Sequence, residues 1–281
     1  MNDEYLAAGF GHVDASADGQ AYKTCLSLLD SLPYYREYKQ RSYELLDLLP
    51  GVSVLEVGCG LGDDAYRMAE LVNPGGSVTA VDASTRMIAL ASARNGGPAK
   101  VDFCQADARH LPFENARFMR CRTDRTLQHI NQPGDTIAEM ARVLQPEGIL
   151  LVYDNDWGTF VVSGSDRHTT ERIENCWRNA FANPWIGREL KRYFFEAGLS
   201  EISVYPSVSV MTDFELADQV YNLRQTASRL VKTGELPCET AGRWVADLQE
   251  QSRSGCFLCC LTAFTVVGRK PLPASLRCAC H

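Results

Sequence analysis

The chain has 281 residues, a length that allows one large domain or two small ones. Hydrophobic residues make up 45% and charged residues 22%, and 28 Lys+Arg against 35 Asp+Glu give a formal net charge of -7. Nucleic acids and anionic membranes bind basic faces, so this balance disfavours both as the main partner. The apolar stretch 257–268 is shorter than the roughly 20 residues that span a bilayer. No secretory signal is visible at the N-terminus, and we therefore expect a cytoplasmic protein.

Strands and helices alternate along the first half of the chain. We expect residues 1–20, which are small, polar and rich in glycine, to form a mobile lead-in. Apolar runs predict strands at 52–57, 77–81, 101–104, 117–122, 149–153, 202–205 and 257–267. Helical spacing predicts helices at 21–32, 34–49, 63–72, 84–94, 134–144, 166–181, 186–197, 213–233 and 238–252. This alternation predicts a doubly wound, parallel α/β sheet that binds its ligand at the carboxyl ends of the strands.

The turn after the first strand reads Gly58-Cys59-Gly60-Leu61-Gly62-Asp63-Asp64. Glycines at alternate positions let a ligand approach the backbone, and the following helix directs free N–H groups towards it. Such a turn also suits dinucleotides. However, a dinucleotide motif that starts at Gly58 would have glycine where this chain has Asp63. Carboxylates at 63 and 64 would repel a pyrophosphate, and they favour a ligand with a cationic part.

Acidic residues also follow the second and third strands. Asp82 is placed to accept hydrogen bonds from both hydroxyls of a ribose, a feature that dehydrogenases share. Asp107 is placed to accept from an adenine amino group, while the backbone N–H of Ala108 donates to the ring. Each acid alone also fits a solvated turn or a helix cap. Together with the glycine turn, their positions at successive strand ends indicate an adenosine-bearing ligand.

These motifs, with the run Glu-Met-Ala-Arg-Val-Leu-Gln-Pro-Glu-Gly at 139–148, resemble the class I S-adenosylmethionine-dependent methyltransferases. The chain is most similar to the small-molecule and natural-product enzymes related to the ubiquinone/menaquinone C-methyltransferases. The resemblance implies a Rossmann-like, doubly wound sheet of seven strands, mostly parallel with the last strand antiparallel, under a helical cap. It divides the chain into an N-terminal helical lid at 1–49, an S-adenosylmethionine-binding core at 50–155, cap helices and closing strands at 156–270, and a tail at 271–281.

The resemblance also implies a set of cofactor-binding residues. The glycines would surround the methionine part, Asp82 would hold the ribose, and Met87 would flank the adenine. Thr123 would lie near the sulfonium, and Lys39 would reach the cofactor carboxylate. The full predicted set is Lys39, Glu56, Gly58, Cys59, Gly60, Gly62, Asp82, Ala83, Met87, Asp107, Ala108 and Thr123.

Acceptor residues are predicted from the ends of the fourth and fifth strands. His129 and Asp124 are the candidate catalytic residues, because a base helps when a phenol or alcohol must lose its proton. The other interpretation of His129 is a hydrogen-bonded structural residue. Arg125, Asp156 and Trp157 are the candidate substrate contacts, although capping and packing account equally well for the last two.

Arginines at 120 and 122 are unusual in a strand that is expected to be buried. An unpaired buried charge costs several kcal/mol, so we expect Arg120 or Arg122 to have a carboxylate neighbour or to face the cleft.

The function predicted from these residues is methyl transfer from S-adenosylmethionine to a small-molecule acceptor, with secondary metabolism as the expected setting. The alternative is a protein that binds the cofactor but has a non-methylating role, as a cyclase or a regulator. A nicotinamide dehydrogenase is disfavoured by Asp63. The sequence does not indicate the acceptor, the methylated atom or the oligomeric state.

The eleven cysteines are an odd number with scattered spacing, which favours free thiols. A zinc hypothesis arises from Cys256-x-x-Cys259-Cys260 and Cys278-x-Cys280-His281. Because residues 257–267 are predicted to form a strand, positions three apart point to opposite faces. We therefore expect no metal site.

Overall fold

One seven-stranded sheet organises the molecule, with the strand order β3-β2-β1-β4-β5-β7-β6. The structure is a computed structural model that describes residues 9–15, 20–94 and 100–273. The strands are β1 Ser53–Val57, β2 Ser77–Asp82, β3 Val101–Gln105, β4 Phe118–Asp124, β5 Leu144–Val162, β6 Ser200–Met211 and β7 Cys259–Arg269. The helices are α1 Gln20–Ser31, α2 Pro33–Leu45, α3 Asp63–Val72, α4 Thr85–Ala93, α5 Pro133–Val143, α6 Arg167–Arg178, α7 Ile186–Glu196, α8 Phe214–Tyr221, α9 Leu223–Lys232 and α10 Cys238–Arg253.

The first five strands are parallel, and β7 lies antiparallel between β5 and β6. This confirms the predicted doubly wound sheet with an antiparallel last strand. The direction in which strands are added to the sheet reverses between β1 and β4. Helix α3, which follows β1, and helix α5, which follows β4, therefore lie on opposite faces of the sheet. A crevice therefore opens at the carboxyl ends of these strands, the usual ligand site of such sheets.

Both faces of the sheet are buried along β1, β2 and β4, where side chains alternate between the two faces, whereas most residues of the edge strand β6 are exposed. Val54 packs with Met68 of α3 on one face, and Leu55 packs with Ile137 of α5 on the other. Helix α3 buries Ala65, Met68, Ala69 and Val72, one stripe at helical spacing. The apolar sequence pattern therefore reports the core accurately in this half of the chain.

The cap is built from α6 and α8–α10. The rings of Trp177 in α6 and Tyr221 in α8 pack against Trp157 of β5, and Tyr221 also packs against Phe160. The predicted single helix 213–233 is wrong, because the chain breaks at Asn222 into α8 and α9. Asn222 has φ 47° and ψ 44°, a left-handed conformation that ends a helix and that asparagine tolerates better than most residues.

Strand β5 runs for 19 residues, far beyond the predicted 149–153. The predicted end of the core at residue 155 therefore falls inside a strand. Asp154, Asn155 and Asp156 are buried within it, where hydrogen bonds satisfy their polar atoms. These polar residues had suggested the end of the strand.

Residues 10–15 form a short 3₁₀ helix, which corrects the predicted mobile lead-in for this part of the chain. Val13 is buried there, and Phe10 contacts Tyr22 of α1 with 5.0 Å between the ring centroids. The N-terminal segment, residues 9–15, therefore packs on the body of the protein.

The predicted partners of the two arginines in β4 are present. Nη2 of Arg120 lies 3.3 Å from a carboxylate oxygen of Asp47, and Arg122 contacts the carboxylates of Glu56, Asp64 and Asp124. Both arginines are therefore compensated inside a buried strand.

No helix in the described ranges is long and apolar enough to cross a membrane. Across these residues, no three His, Cys, Asp or Glu side chains are grouped to hold a metal ion. The cysteines there are free thiols. Cys278, Cys280 and His281, which belong to the zinc hypothesis, lie outside the described residues.

Candidate cofactor and acceptor site

A cavity of about 610 Å³ opens at the carboxyl ends of β1, β2 and β4. The glycine turn and the ends of the strands form its floor, while α1 and the N-terminal segment close it from above. Its lining residues are Phe10, Gly11, His12, Val13, Leu26, Leu29, Val57, Gly58, Gly60, Val81, Asp82, Ala83, Met87 and residues 105–109, 124–126 and 128–131.

The glycine turn has a backbone that favours glycine at each predicted position. The φ angles of Gly58, Gly60 and Gly62 are 75°, 51° and 80°, all in the left-handed region. A Cβ on Gly58 would lie 2.1 Å from Oγ1 of Thr126, so a side chain there would collide with the loop after β4. The backbone of the turn is therefore exposed to the cavity only because side chains are missing.

Asp82 ends β2 and organises this turn. One carboxylate oxygen accepts from the N–H of Gly60 at 2.9 Å, and the other accepts from the N–H of Ser84 at 2.9 Å. Each oxygen keeps a lone pair for a ligand hydroxyl. Burial raises the pKa of Asp82 above its ordinary value.

Ala83, Met87, Asp107 and Ala108 line the same cavity, next to Asp82. Asp107 also forms an ion pair with Arg109, with 2.7 Å between Nη2 and the carboxylate, and this pairing holds the pKa of Asp107 below its ordinary value. The carboxylate of Asp107 therefore has a partner in the protein besides any ligand.

A second, smaller cavity of about 70 Å³ lies under the glycine turn and includes Lys39, Glu56 and Cys59 in its lining. Oε2 of Glu56 is buried and has no hydrogen-bond partner among the described residues. Nζ of Lys39 is already engaged, at 3.2 Å from Asp30 and 3.0 Å from Asp64.

Asp124, at the end of β4, is surrounded by donors. It accepts from the hydroxyl of Tyr38 at 3.1 Å, from Nη2 of Arg122 at 2.8 Å and from Nε of Arg125 at 3.1 Å. The lone pairs of this carboxylate are therefore engaged by donors of the protein itself.

Thr123 does not lie where the resemblance would place it. It is fully buried inside β4, which continues through Asp124, and it is absent from the cavity lining. Thr126, in the loop after β4, lines the cavity instead.

Arg125 lines both cavities and has φ 51°, a left-handed conformation that is uncommon for residues with a side chain. Its guanidinium group stacks on the ring of Tyr35, 5.1 Å from the centroid. The strained backbone and the aromatic contact direct a fixed cation to the cavity.

His129 also lines the cavity, between the rings of Phe10 and Phe181, with 5.6 Å between ring centroids on each side. Its Nε2 lies 3.1 Å from Nε2 of Gln128. Burial, with the nearby charge of Arg125, lowers the pKa of His129 to about 3. The imidazole is therefore neutral at physiological pH.

Asp156 and Trp157 are not part of this cavity. Both oxygens of Asp156 accept from Arg188, at 2.5 and 2.9 Å. Trp157 is 4% exposed and stacks on Phe181 at 4.3 Å. Because β5 continues past residue 153, these two residues lie within the strand and serve as its packing and ion-pairing contacts.

The structure adds cavity residues that the sequence did not single out. Phe10 and Val13 come from the segment predicted to be mobile, and Asp14 accepts hydrogen bonds from the N–H groups of Thr85 and Arg86 at 2.9 and 3.2 Å. Gln128 carried no motif signal. The sequence did contain one signal for this segment: two apolar residues, Phe10 and Val13, precede Asp14, and this pattern could have indicated that the segment packs on the protein.

The comparisons with known proteins agree with this geometry. A family model described as a methyltransferase domain matches residues 54–148. An uncharacterized 37.1 kDa protein of transposon Tn4556 from Streptomyces fradiae is 33% identical over 273 residues, covering 92% of this chain and 76% of that protein. The chain belongs to the class I S-adenosylmethionine-dependent methyltransferases. Its cofactor is S-adenosylmethionine.

Two named relatives each match a little under half of this methyltransferase. Methyltransferase GfsG from Streptomyces halstedii is 33% identical over 150 residues, covering 48% of this chain and 53% of GfsG. The ubiquinone/menaquinone biosynthesis C-methyltransferase UbiE from Ectopseudomonas mendocina is 33% identical over 123 residues, covering 43% of this chain and 48% of UbiE. The chain therefore spans about half the length of these two relatives.

Solved structures share the fold of this methyltransferase. A putative methyltransferase from Bacillus halodurans matches with a TM-score of 0.57 at 21% identity, over 83% of this chain and 99% of that one. The cyclase SpnF matches with a TM-score of 0.51 at 22% identity, over 85% of this chain and 82% of its own.

The residues present fit the cofactor. S-adenosylmethionine carries an ammonium group, and the unpartnered oxygen of Glu56 lines the small cavity under the glycine turn. It also carries a ribose, and Asp82 retains acceptor capacity at the edge of the main cavity. The open backbone at Gly58 and Gly60 leaves space between these two acids.

Proposed function

We propose that this protein transfers the methyl group of S-adenosylmethionine to a small-molecule acceptor. The observation that carries the proposal is the continuity of the main cavity. Asp82, at the cofactor end, and Phe10, Leu26 and Leu29, which belong to no cofactor motif, line the same space. An acceptor and the cofactor placed there would be in direct contact beneath the N-terminal segment.

The proposed cofactor contacts follow from the site. Glu56 would face the ammonium group, Gly58 and Gly60 would border the methionine part, and Asp82 would hold the ribose hydroxyls. Met87, Asp107 and Ala108 would border the adenine, with Ala83 beside the ribose. Lys39 and Cys59 would complete the wall at the methionine end, and Gly62 would allow the turn into α3. Bound S-adenosylmethionine supplies an activated methyl group.

The work of the chain is then to align the acceptor and to exclude water. Phe10, Val13, Leu26 and Leu29 give the cavity an apolar cover. Arg125 provides a fixed cation, which would attract an acceptor with an anionic or electron-rich oxygen. Asp124, with its lone pairs engaged, would hold Arg125 and Tyr38 in place.

Binding and turnover test this proposal separately. Calorimetry should show S-adenosylhomocysteine binding and no NAD binding. Incubation with methyl-labelled S-adenosylmethionine and a panel of phenols, quinols, amines and carboxylic acids should transfer the label to at least one acceptor. The Asp82→Ala variant, which lacks the ribose acceptor, is the control for enzyme-dependent transfer.

The alternative is a cofactor-binding protein with a non-methylating role, such as a cyclase or a regulator. Tight S-adenosylhomocysteine binding with no labelled product, across small molecules and cell extract fractions, would favour it over methyl transfer. A role in natural-product biosynthesis and a cytoplasmic location belong to the proposal, and the resemblance to natural-product enzymes supports the first.

A further inference from the structure

The amide of Gln128 is held in one orientation by the groups around it. Its Oε1 accepts from the indole Nε1 of Trp157 at 2.9 Å and from Nδ2 of Asn155 at 3.1 Å. An indole N–H can only donate, so the atom that faces Trp157 must be the oxygen. The amide nitrogen therefore points the other way.

That nitrogen has two hydrogens and two neighbours. Nε2 of Gln128 donates to the carbonyl of Arg125 at 3.1 Å and lies 3.1 Å from Nε2 of His129. Because the amide nitrogen has no lone pair to offer, Nε2 of His129 must be the acceptor of this bond. All hydrogen-bonding positions of the Gln128 side chain are then filled, and the side chain is 5% exposed.

An imidazole that accepts at Nε2 and is neutral has its proton on Nδ1. Within the described ranges Nδ1 of His129 forms no hydrogen bond, and it is not among the buried atoms that lack a partner. The rings of Phe10 and Phe181 restrict rotation of the imidazole from both sides. The remaining direction for the Nδ1 proton is the cavity that His129 lines.

We propose that His129 is a fixed hydrogen-bond donor, set by Gln128, that presents Nδ1–H to an oxygen of the acceptor. Gln128 is the positioning residue, and the acceptor is a molecule whose carbonyl, ether or ionised oxygen faces His129. The proposal rests on the proposed function for the identity of the ligand, whereas the state of the imidazole is independent of turnover.

The charges around the imidazole agree with this assignment. Arg125, from the same loop, is the charged group that acts on His129, and it opposes an imidazolium. Asp154, from β5, is turned to the backbone N–H groups of Gln128 and Asn155. No carboxylate in the described part of the chain is within ion-pair distance of His129 to stabilise its protonated form.

The tautomer of His129 can be measured by NMR. The protein is labelled with ¹⁵N-histidine, saturated with S-adenosylhomocysteine and measured by two-bond ¹H–¹⁵N correlation from pH 5 to pH 8. His129→Gln identifies the signal, and His168→Gln, which changes an exposed histidine, is the matched control. We expect the Nδ1–H pattern without titration. An Nε2–H pattern, or a protonation midpoint near 6.5, would overturn the proposal.

A second variant replaces the donor of the Gln128–His129 hydrogen bond with an acceptor. In Gln128→Glu an acceptor faces Nε2 of His129, so the imidazole should change to the Nε2–H tautomer or become protonated in this pH range. Gln128→Met, which offers neither donor nor acceptor, should instead show a mixture of tautomers. If Gln128→Glu binds S-adenosylhomocysteine and leaves the His129 pattern unchanged, Gln128 does not position the imidazole and the proposal is wrong.

The role towards the acceptor is tested with an oxygen acceptor found in the labelling panel. His129→Leu, which has no donor, should lower kcat/KM about threefold to tenfold, the usual effect of one lost hydrogen bond. His129→Gln, which keeps an N–H donor, should recover most of that loss, with a pH–rate profile that lacks a histidine limb. Equal losses in both variants would overturn the donor role, while an empty panel with the Nδ1–H tautomer present would count against methyl transfer only.

Discussion

Nη1 of Arg122 lies 2.6 Å from Oε1 of Glu56, and both side chains are buried beneath the glycine turn. The same guanidinium group reaches Asp64 at the start of α3 and Asp124 at the end of β4. One cation thus joins three acids from three elements that converge on the ligand edge of the sheet. This charge holds Glu56, which we propose faces the cofactor, together with Asp64 and Asp124.

Removing that charge should destabilise the fold. Arg122→Met leaves buried carboxylates uncompensated, and we expect the free energy of unfolding to fall by about 3–5 kcal/mol in urea denaturation. Arg67→Met, which breaks an exposed pair with Glu70, should cost no more than about 1 kcal/mol. Adding Glu56→Gln to Arg122→Met should recover part of the loss. Equal small effects of the two arginine variants would contradict the central role of Arg122.

Two glycine substitutions separate the cost of a left-handed backbone from the cost of a steric collision. Gly58→Ala introduces a Cβ that meets Thr126 and also needs a left-handed φ of 75°, so we expect both stability and S-adenosylhomocysteine binding to suffer. Gly51→Ala, at φ 90° with nothing within 4 Å of the new Cβ, reports the backbone cost alone, about 1–2 kcal/mol. Thr126→Ala combined with Gly58→Ala should restore part of the binding. A Gly58→Ala variant no worse than Gly51→Ala would show that the loop after β4 yields freely.

Asp82 should control cofactor affinity. Asp82→Ala removes a charged acceptor, and we expect S-adenosylhomocysteine to bind about tenfold to a hundredfold more weakly in calorimetry. Asp102→Ala, on the exposed side of the neighbouring strand, should bind normally. Because burial raises the pKa of Asp82, the parent should lose affinity as the pH falls through this raised pKa, at a higher pH than an ordinary aspartate titrates. Asp82→Asn should lack that pH dependence.

Asp14 should slow cofactor release. Its carboxylate accepts from the hydroxyl of Ser84 and from the N–H groups of Thr85 and Arg86, and these bonds lower its pKa to about 2. We expect Asp14→Ala to release S-adenosylhomocysteine about threefold to tenfold faster in stopped-flow measurements, with Asp14→Asn in between.

The pH dependence of this contact follows from the same shift. A carboxyl group whose folded pKa lies below its unfolded value contributes above the unfolded value, about 3.9, and loses the contribution as the pH falls towards 2. Release by the parent should therefore be insensitive to Asp14 ionisation between pH 5 and pH 8. If Asp14→Ala and the parent release the ligand at the same rate, the N-terminal segment does not limit exit.

The sequence predicts β1 and β2 to within one residue at each end, because β1 is a short apolar run before Gly58 and β2 is one that ends at Asp82. It fails where buried polar residues have partners far away in the chain. Asp156 looked like a residue at the end of a strand, but Arg188, 32 positions later, makes it a buried part of β5. The spacing of apolar residues along the chain does not indicate which distant residue will form an ion pair with a buried carboxylate.

The residues of the candidate site also fall into those that the sequence predicts and those that it does not. Gly58, Gly60, Asp82 and Asp107 are local signals in the sequence, and these four residues line the main cavity, whereas Gly62 does not. Thr123 was expected to follow β4, but the strand continues through Asp124, so Thr123 is a buried strand residue. Gln128 was missed because its importance comes from Trp157 and Asn155, which the fold brings to it.

The length of β5 has a consequence for how molecules enter. Strand β5 carries the β4 contacts near its start and the cap contacts near its end. It pairs with β7 in both regions, on either side of a register shift between Asp156 and Val161. A swing of the cap away from the sheet would break that ladder, which is far more costly than releasing a few contacts of residues 9–15. We therefore expect ligands to enter by movement of residues 9–15, and the rate of that movement would then limit turnover.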